Sequence, residues 1–254
     1  MASSHFTTTD DFRIAWHELG GPSDGFPVIL QHGYTANTQS EWVSCGIASA
    51  IAALGRRVIG IDALGHGASD RPHDPAHYGE TRMARDVSAL ASHLRLNQFD
   101  LVGYSMGAIV SLLCATHEPR LRRLAIGGVG EAVVLLGGVD TRALDNNVLA
   151  EVMLADDPSP FSEGVQNFRR NAEARGNDRR ALAAQARVVN ASPIALDRIG
   201  VPTLVLAGTS DPLAIRPEIL AASIPGARLE LVPGDHGTSR TSPEFTRALV
   251  AFLA

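Results

Sequence analysis

Six short apolar runs constrain this chain more than any other feature: Val28-Ile29-Leu30, Val58 to Ile61, Leu101-Val102, Leu124 to Ile126, Thr203 to Leu206 and Leu229 to Val232. Short apolar runs of this kind, set off by Gly, Pro or Asp, read as strands covered on both faces. Strand-like alternation around Phe6 to Thr8 and Arg13 to Glu18 precedes them. Helical patterns lie between. Thr38 and Glu41 have the spacing of a capping box, opening a helix that ends near Gly55. Met83, Val87, Leu90 and Leu94 share one helical face. Met106 to His117 is apolar nearly all round and stops before Pro119. Ser242 and Pro243 open a last helix whose stripe is Phe245, Leu249 and Phe252. Strands alternating with helices require a mainly parallel sheet with helices on both faces.

One stretch breaks the rhythm. From Val133 to Pro193 no strand is evident, only helix-like pieces (Ala143 to Leu154, Gly164 to Ala174, Arg179 to Val189) with a breaker at Asp157 to Pro160. A crossover of this length is unusual, and a helical cap inserted after the sixth strand is the expectation. The domain division is then a core of residues 1–132 and 194–254 with a cap at 133–193.

Net charge is −5, so nothing favours nucleic acid or an anionic membrane surface. All 22 basic residues are Arg, scattered along the chain. Cys45 and Cys114 suggest neither a disulfide framework nor metal spacing. The stretch Met1 to Asp11 is polar, and no apolar run reaches the ~20 residues of a membrane span. A cytoplasmic protein with a small-molecule substrate is expected; the sequence is silent on oligomeric state.

The chemistry concentrates at four strand ends. Gly103-Tyr104-Ser105-Met106-Gly107 joins an apolar strand to an apolar helix. A strand that turns sharply into a helix lifts a Ser hydroxyl above the sheet edge and needs small residues on both sides. The helix N-terminus behind it favours developing negative charge. Gln31-His32-Gly33-Tyr34 follows another strand, and there the Tyr34 amide, with that of Met106, would form a two-donor oxyanion hole. Ala207 to Pro212 puts Asp211 at a third strand end, and Gly234-Asp235-His236-Gly237 puts His236 at a fourth. A Ser hydroxyl is a poor nucleophile until a base takes its proton. Neutral imidazole does so near pH 7, and a carboxylate on its other nitrogen fixes the tautomer. The order Ser, Asp, His fits that set.

Competing assignments are weaker. Glu131 also follows a strand, but Asp211 is preferred because the His follows at the next strand. His32 is expected to hold its loop, and Asp235 to point away from the base. His66, His73, Asp74 and His77 do not suggest a metal site, since Pro72 and Pro75 disrupt the helix that their spacing would need. Gly65 to Asp70 lacks the third Gly of a dinucleotide loop.

With those residues in view, the chain resembles the α/β-hydrolase superfamily, and within it the bacterial esterase, enol-lactonase and non-haem haloperoxidase-like group. The resemblance rests on His32-Gly33-Tyr34, Asp62-Ala63-Leu64-Gly65-His66-Gly67-Ala68-Ser69, the Ser105 turn, Asp211 and His236, and covers residues 27–132 and 197–254. It departs at Leu64, near which the family usually carries Arg. It implies an α/β-hydrolase fold and a serine hydrolase that needs no cofactor and no metal. The expected reaction is cleavage of a small carboxylic ester or lactone through an acyl-enzyme. A C–C hydrolase of ring-cleavage diketones is the alternative, as is a non-catalytic receptor on the same fold. Acyl transfer and perhydrolysis share the same acyl-enzyme. Dehalogenases and epoxide hydrolases of this fold use a carboxylate nucleophile, which Ser105 argues against. Val133, Leu135, Leu136, Met153, Phe161 and Phe168 are candidate pocket residues, and Arg169 and Arg170 are expected to face water.

Overall fold

The computed structural model describes residues 3–254; Met1 and Ala2, which open the polar N-terminal stretch, lie outside the described residues. Eight strands form one sheet: β1 (Ser4–Thr7), β2 (Arg13–Gly20), β3 (Pro27–Gln31), β4 (Arg57–Ile61), β5 (Phe99–Tyr104), β6 (Leu121–Gly127), β7 (Thr203–Gly208) and β8 (Arg228–Val232). Their spatial order is β1-β2-β4-β3-β5-β6-β7-β8. β1 and β2 pair antiparallel and β2 pairs antiparallel with β4; all later pairings are parallel. This is the α/β-hydrolase fold that the sequence implies.

Successive strand residues point to opposite faces, and both faces are apolar. Ile29, Ile59, Leu101, Leu124 and Val205 face one layer of helices: α2 (Glu80–His93), α3 (Met106–Ala115) and α8 (Pro217–Ala222). Val28, Leu30, Val58, Val102 and Leu204 face the other: α1 (Ile47–Ala52) and α9 (Pro243–Leu253). Ser242 caps α9 as the sequence suggests, its hydroxyl accepting from the Phe245 amide at 3.1 Å.

Two expectations fail. β8 is not covered on both faces: it pairs only with β7 at the sheet edge, and Leu231 is 59% exposed. The Thr38–Glu41 capping box does not form. Thr38 makes no side-chain cap, and the segment breaks at Gly46 (φ 82°) into a π-helical turn, Gln39–Val43, and α1. The Glu41 carboxylate is drawn elsewhere. It accepts from the Gly33 amide at 3.0 Å and pairs with Arg240, which is buried and needs a counter-charge.

Between β6 and β7 run four α-helices, α4 (Ala132–Leu136), α5 (Asn146–Leu154), α6 (Glu163–Ala174) and α7 (Arg179–Ala186), and a 3-10 turn at Leu196–Arg198. Asp145 and Asp178 cap α5 and α7. Leu149, Val152, Met153, Ala172, Leu182 and Ala183 form an apolar cluster of their own there. Arg169 does not face water. It is buried, and its guanidinium donates to the carbonyls of Val152 (3.1 Å) and Ala155 (2.6 Å) and to Glu173 (2.9 Å), closing the C-terminal end of α5. Arg170 is exposed. Among the described residues no helix is long and apolar enough to cross a membrane.

Candidate active site

Ser105 sits between β5 and α3 with φ 55° and ψ −121°, a conformation an L-residue adopts only under constraint. The surroundings supply that constraint. The Ser105 amide donates to Gly127 O on the neighbouring strand at 2.8 Å. A Cβ at Gly103 would lie 2.2 Å from Gly107 O, and one at Gly107 would lie 2.2 Å from Gln31 O. The two glycines therefore let α3 start against the end of β3, and the hydroxyl of Ser105 stands clear of the sheet.

The four strand ends converge. His236 Nε2 is 2.9 Å from Ser105 Oγ, and His236 Nδ1 is 2.9 and 3.1 Å from the two oxygens of Asp211. The Asp211 side chain is fully buried, and its Oδ1 also accepts from the Leu213 amide at 2.9 Å. The Tyr104 ring lies 5.3 Å from the imidazole, and its hydroxyl donates to the His236 carbonyl at 2.8 Å. Asp235 points away: it ties the loop together by accepting from the amides of Gly237 and Thr238, both at 2.9 Å. Glu131 is not in this chain of contacts; it pairs with Arg142 and Arg216, which hold its carboxyl below the usual range.

The loop after β3 is braced from below. His32 Nε2 accepts from the Ala63 amide at 3.0 Å, so its Nδ1 carries the proton and donates to Gly33 O at 2.8 Å. Both ring nitrogens are engaged, and His32 holds the loop rather than offering a free base. Burial pushes the His66 ring down to about 3, so it is neutral, and its Nε2 is bonded to the Tyr34 carbonyl. Asp62 anchors the neighbouring turn, accepting from the amides of Thr38 (2.9 Å) and Ala68 (3.0 Å) and bonding His17 at 2.9 Å. With the Gly33 amide taken by Glu41, the Tyr34 amide is left, and no acceptor takes it among the described residues. The Met106 amide opens α3 and, like the other first-turn amides, has no acceptor within its own helix. His73 faces Asp178 at 2.9 Å, and Asp74 caps a short turn.

Two spaces meet at Ser105. An open cleft of about 570 Å³ is bordered by His236, Tyr34, Phe168 and Arg175. A narrow inner chamber of about 50 Å³ shares Tyr34, Ser105, Leu144, Phe168 and Leu213 with the cleft and is further bordered by Met106, Leu149 and Gln185, but not by His236. Of the six pocket candidates read from sequence only Phe168 borders either space. Val133 and Met153 are packed in the interior, and Leu135 is 54% exposed. Sequence reasoning missed Gln185, Glu80 and Arg175. For Gln185 a signal existed: it is the lone polar residue in the run Ala181-Leu182-Ala183-Ala184-Gln185-Ala186.

Residues 27–188 match the family described as alpha/beta hydrolase fold. A Bacillus subtilis protein provisionally named as a 2-succinyl-6-hydroxy-2,4-cyclohexadiene-1-carboxylate synthase is 27% identical over 92% of this chain and 91% of its own length. The 2-hydroxy-6-oxo-2,4-heptadienoate hydrolase of Pseudomonas putida is 35% identical, over 49% of this chain and 44% of that protein; this chain thus spans less than half of that relative. Among solved structures, a hydrolase from Pseudomonas aeruginosa superimposes with a TM-score of 0.79 at 27% identity, covering 99% of this chain and 98% of that one.

Proposed function

Because this chain belongs to the alpha/beta hydrolase fold family, with residues 27–188 matched, we propose that it is a serine hydrolase. It cleaves a small carboxylic ester or lactone through an acyl-enzyme, with Ser105 as nucleophile, His236 as base and Asp211 as the carboxylate that orients the base. The observation that carries this reading is the unbroken hydrogen-bonded chain from Ser105 Oγ through both imidazole nitrogens to Asp211.

The reaction follows from that geometry. His236 Nε2 takes the Ser105 proton as Oγ attacks the carbonyl carbon, and Asp211 stabilises the imidazolium. The oxyanion of the tetrahedral intermediate accepts from the Tyr34 and Met106 amides, which His66, His32 and the start of α3 hold in place. His236 then returns its proton to the leaving alcohol. Water, deprotonated by His236, attacks the acyl-enzyme; collapse of the second tetrahedral intermediate frees the acid and restores the Ser105 hydroxyl. The leaving group must lie on the side of His236, which borders the open cleft. The acyl portion therefore occupies the inner chamber, which His236 does not border. The chamber offers room for roughly three to five heavy atoms, which favours a short acyl group. Residues 133–193 act as a cap over the core formed by 1–132 and 194–254, and supply the chamber wall through Leu149, Phe168 and Gln185. A cytoplasmic setting suits a small-molecule substrate of this kind.

A second reading is C–C bond cleavage of a ring-cleavage diketone with the same three side chains. It is favoured by the 35% identity, across 49% of the chain, to the Pseudomonas putida heptadienoate hydrolase. Turnover of p-nitrophenyl acetate and butyrate, with Ser105→Ala as control, separates the possibilities. Ester turnover that falls about 10⁴-fold or more in the variant supports the serine esterase. Activity confined to vinylogous diketones moves the assignment to the C–C hydrolase. Tight binding of small molecules with neither reaction would indicate a receptor.

A further inference from the structure

The turn that carries the Tyr34 amide is held by the helices between β6 and β7 as well as by the sheet. Ala36 N donates to Gly33 O at 3.2 Å, so Gly33 to Ala36 close a β-turn with Tyr34 and Thr35 at its centre. The three carbonyls of Gly33, Tyr34 and Thr35 each meet a side chain. Gly33 O accepts from His32, and Tyr34 O is bonded to His66. Thr35 O instead accepts from Asn177 Nδ2 and Arg175 Nη1, both at 3.0 Å, and Arg175 Nη1 also lies 3.2 Å from Thr35 Oγ1. Arg175 and Asn177 belong to the corner joining α6 to α7, 140 and 142 residues further along the chain. The Tyr34 hydroxyl adds a second tie, donating to Leu182 O of α7 at 2.8 Å. Asn177 is buried and borders neither the cleft nor the chamber, so its path to the site runs through Thr35. The Thr35–Ala36 peptide is thus fixed at both ends, its carbonyl by the corner and its N–H by Gly33 O. Gly33 O belongs in turn to the peptide whose N–H is that of Tyr34. Rotation of the Thr35–Ala36 peptide would leave His32 alone to hold Gly33 O.

We propose that Asn177 and Arg175 are positioning residues for the oxyanion hole: by holding the Thr35 carbonyl they fix the Gly33–Ala36 turn and aim the Tyr34 amide at the oxyanion. This rests on the hydrolase reading and on the Tyr34 amide serving as a donor. The helices between β6 and β7 then contribute to the chemical step as well as to the chamber wall. A displaced amide costs most at the tetrahedral intermediate, where negative charge on oxygen is greatest, and least in the ground-state complex.

The test measures kcat and KM for p-nitrophenyl acetate, and the inhibition constant of a short alkyl trifluoromethyl ketone, whose hemiketal with Ser105 places an oxyanion in the hole. Asn177→Leu keeps the bulk and removes the donor. Its kcat falls about 10-fold or more with KM nearly constant, and the ketone binds more weakly by a similar factor. Arg175→Met shows the same pair of changes, and Arg175→Lys, which keeps a donor, recovers most of both. Thermal melts identify a variant that does not fold; should Asn177→Leu be one, the two Arg175 variants decide alone. Native kcat in a folded Asn177→Leu, a loss carried by KM with ketone binding unchanged, or equal values in Arg175→Met and Arg175→Lys overturns the positioning role while the esterase reading survives. If the native protein turns over no ester and a fluorophosphonate fails to label Ser105, the hydrolase reading falls and this inference falls with it.

Discussion

The sheet edge and the helical excursion between β6 and β7 build the two sides of one site by different means. At the sheet edge each chemical group sits at the end of a strand whose position is fixed by backbone pairing. Ser105, Asp211 and His236 follow β5, β7 and β8, and the Tyr34 loop follows β3. In the excursion the groups that face the chamber hang from helices, and long-range side-chain contacts set their placement. Catalytic geometry at the proposed triad is thus tied to the most rigid part of the fold. Selectivity is left to the part placed by side-chain packing rather than backbone pairing, where substitution costs less.

That contrast is broken most severely at the proposed base. Replacing His236 with Ala should lower kcat/KM for a p-nitrophenyl ester by about 10⁴-fold or more, with little change in melting temperature, because the ring is partly exposed and packs mainly against Tyr104. Equal losses of activity and stability would mean that the sheet edge is not preorganised independently of this side chain. The next effect is on the scaffold itself. Gly107→Ala would put a methyl group 2.2 Å from Gln31 O, a backbone atom that cannot move aside without shifting β3. Urea denaturation should register a loss of about 3 kcal/mol or more.

In the excursion the corresponding test is Arg169→Met. It keeps the aliphatic stem but leaves the carbonyls of Val152 and Ala155 without their charged donor, at about 2 kcal/mol. Hydrogen exchange should quicken in α5 and α6 while β5 and β6 stay protected. Uniform loosening of both regions would erase the distinction. The smallest effect concerns Glu80, which burial pushes up to about 7 from an ordinary 4.5. Between those values the folded chain holds more protons than the unfolded one, so stability falls as pH rises through this window and levels off above it. Glu80→Gln removes that share of the slope, on the order of 1 kcal/mol between pH 6 and 8. Asp86, which burial also pushes to about 7, adds a slope of the same sign, and His66, which burial holds at about 3, adds one of the opposite sign.

The same division explains what could be read from the amino-acid sequence. The strand runs, the glycines around Ser105 and the His at the end of the last strand are local patterns, and each has a local physical cause. A mainly parallel sheet with helices on both faces followed from them. Glu41 was misread because its spacing from Thr38 matches a helix cap, whereas its actual partner, Arg240, lies 199 residues away. Arg169 looks like a solvent-facing residue on a helix. Only the fold brings the last carbonyls of α5 within its reach. β8 has the composition of an interior strand, yet its place at the edge depends on the order of all the others. Gln185 stands out in its Ala-rich run, but its place in the chamber wall is a property of packing alone.

The central claim is that Ser105 carries the acyl group during turnover. Intact-protein mass spectrometry of enzyme acid-quenched in the steady state with p-nitrophenyl butyrate tests it most directly. The account predicts a gain of one butyryl group, mapped to the peptide containing Ser105 and absent in Ser105→Ala. Turnover at the native rate by Ser105→Ala, or an acyl group carried by a different residue, would contradict it.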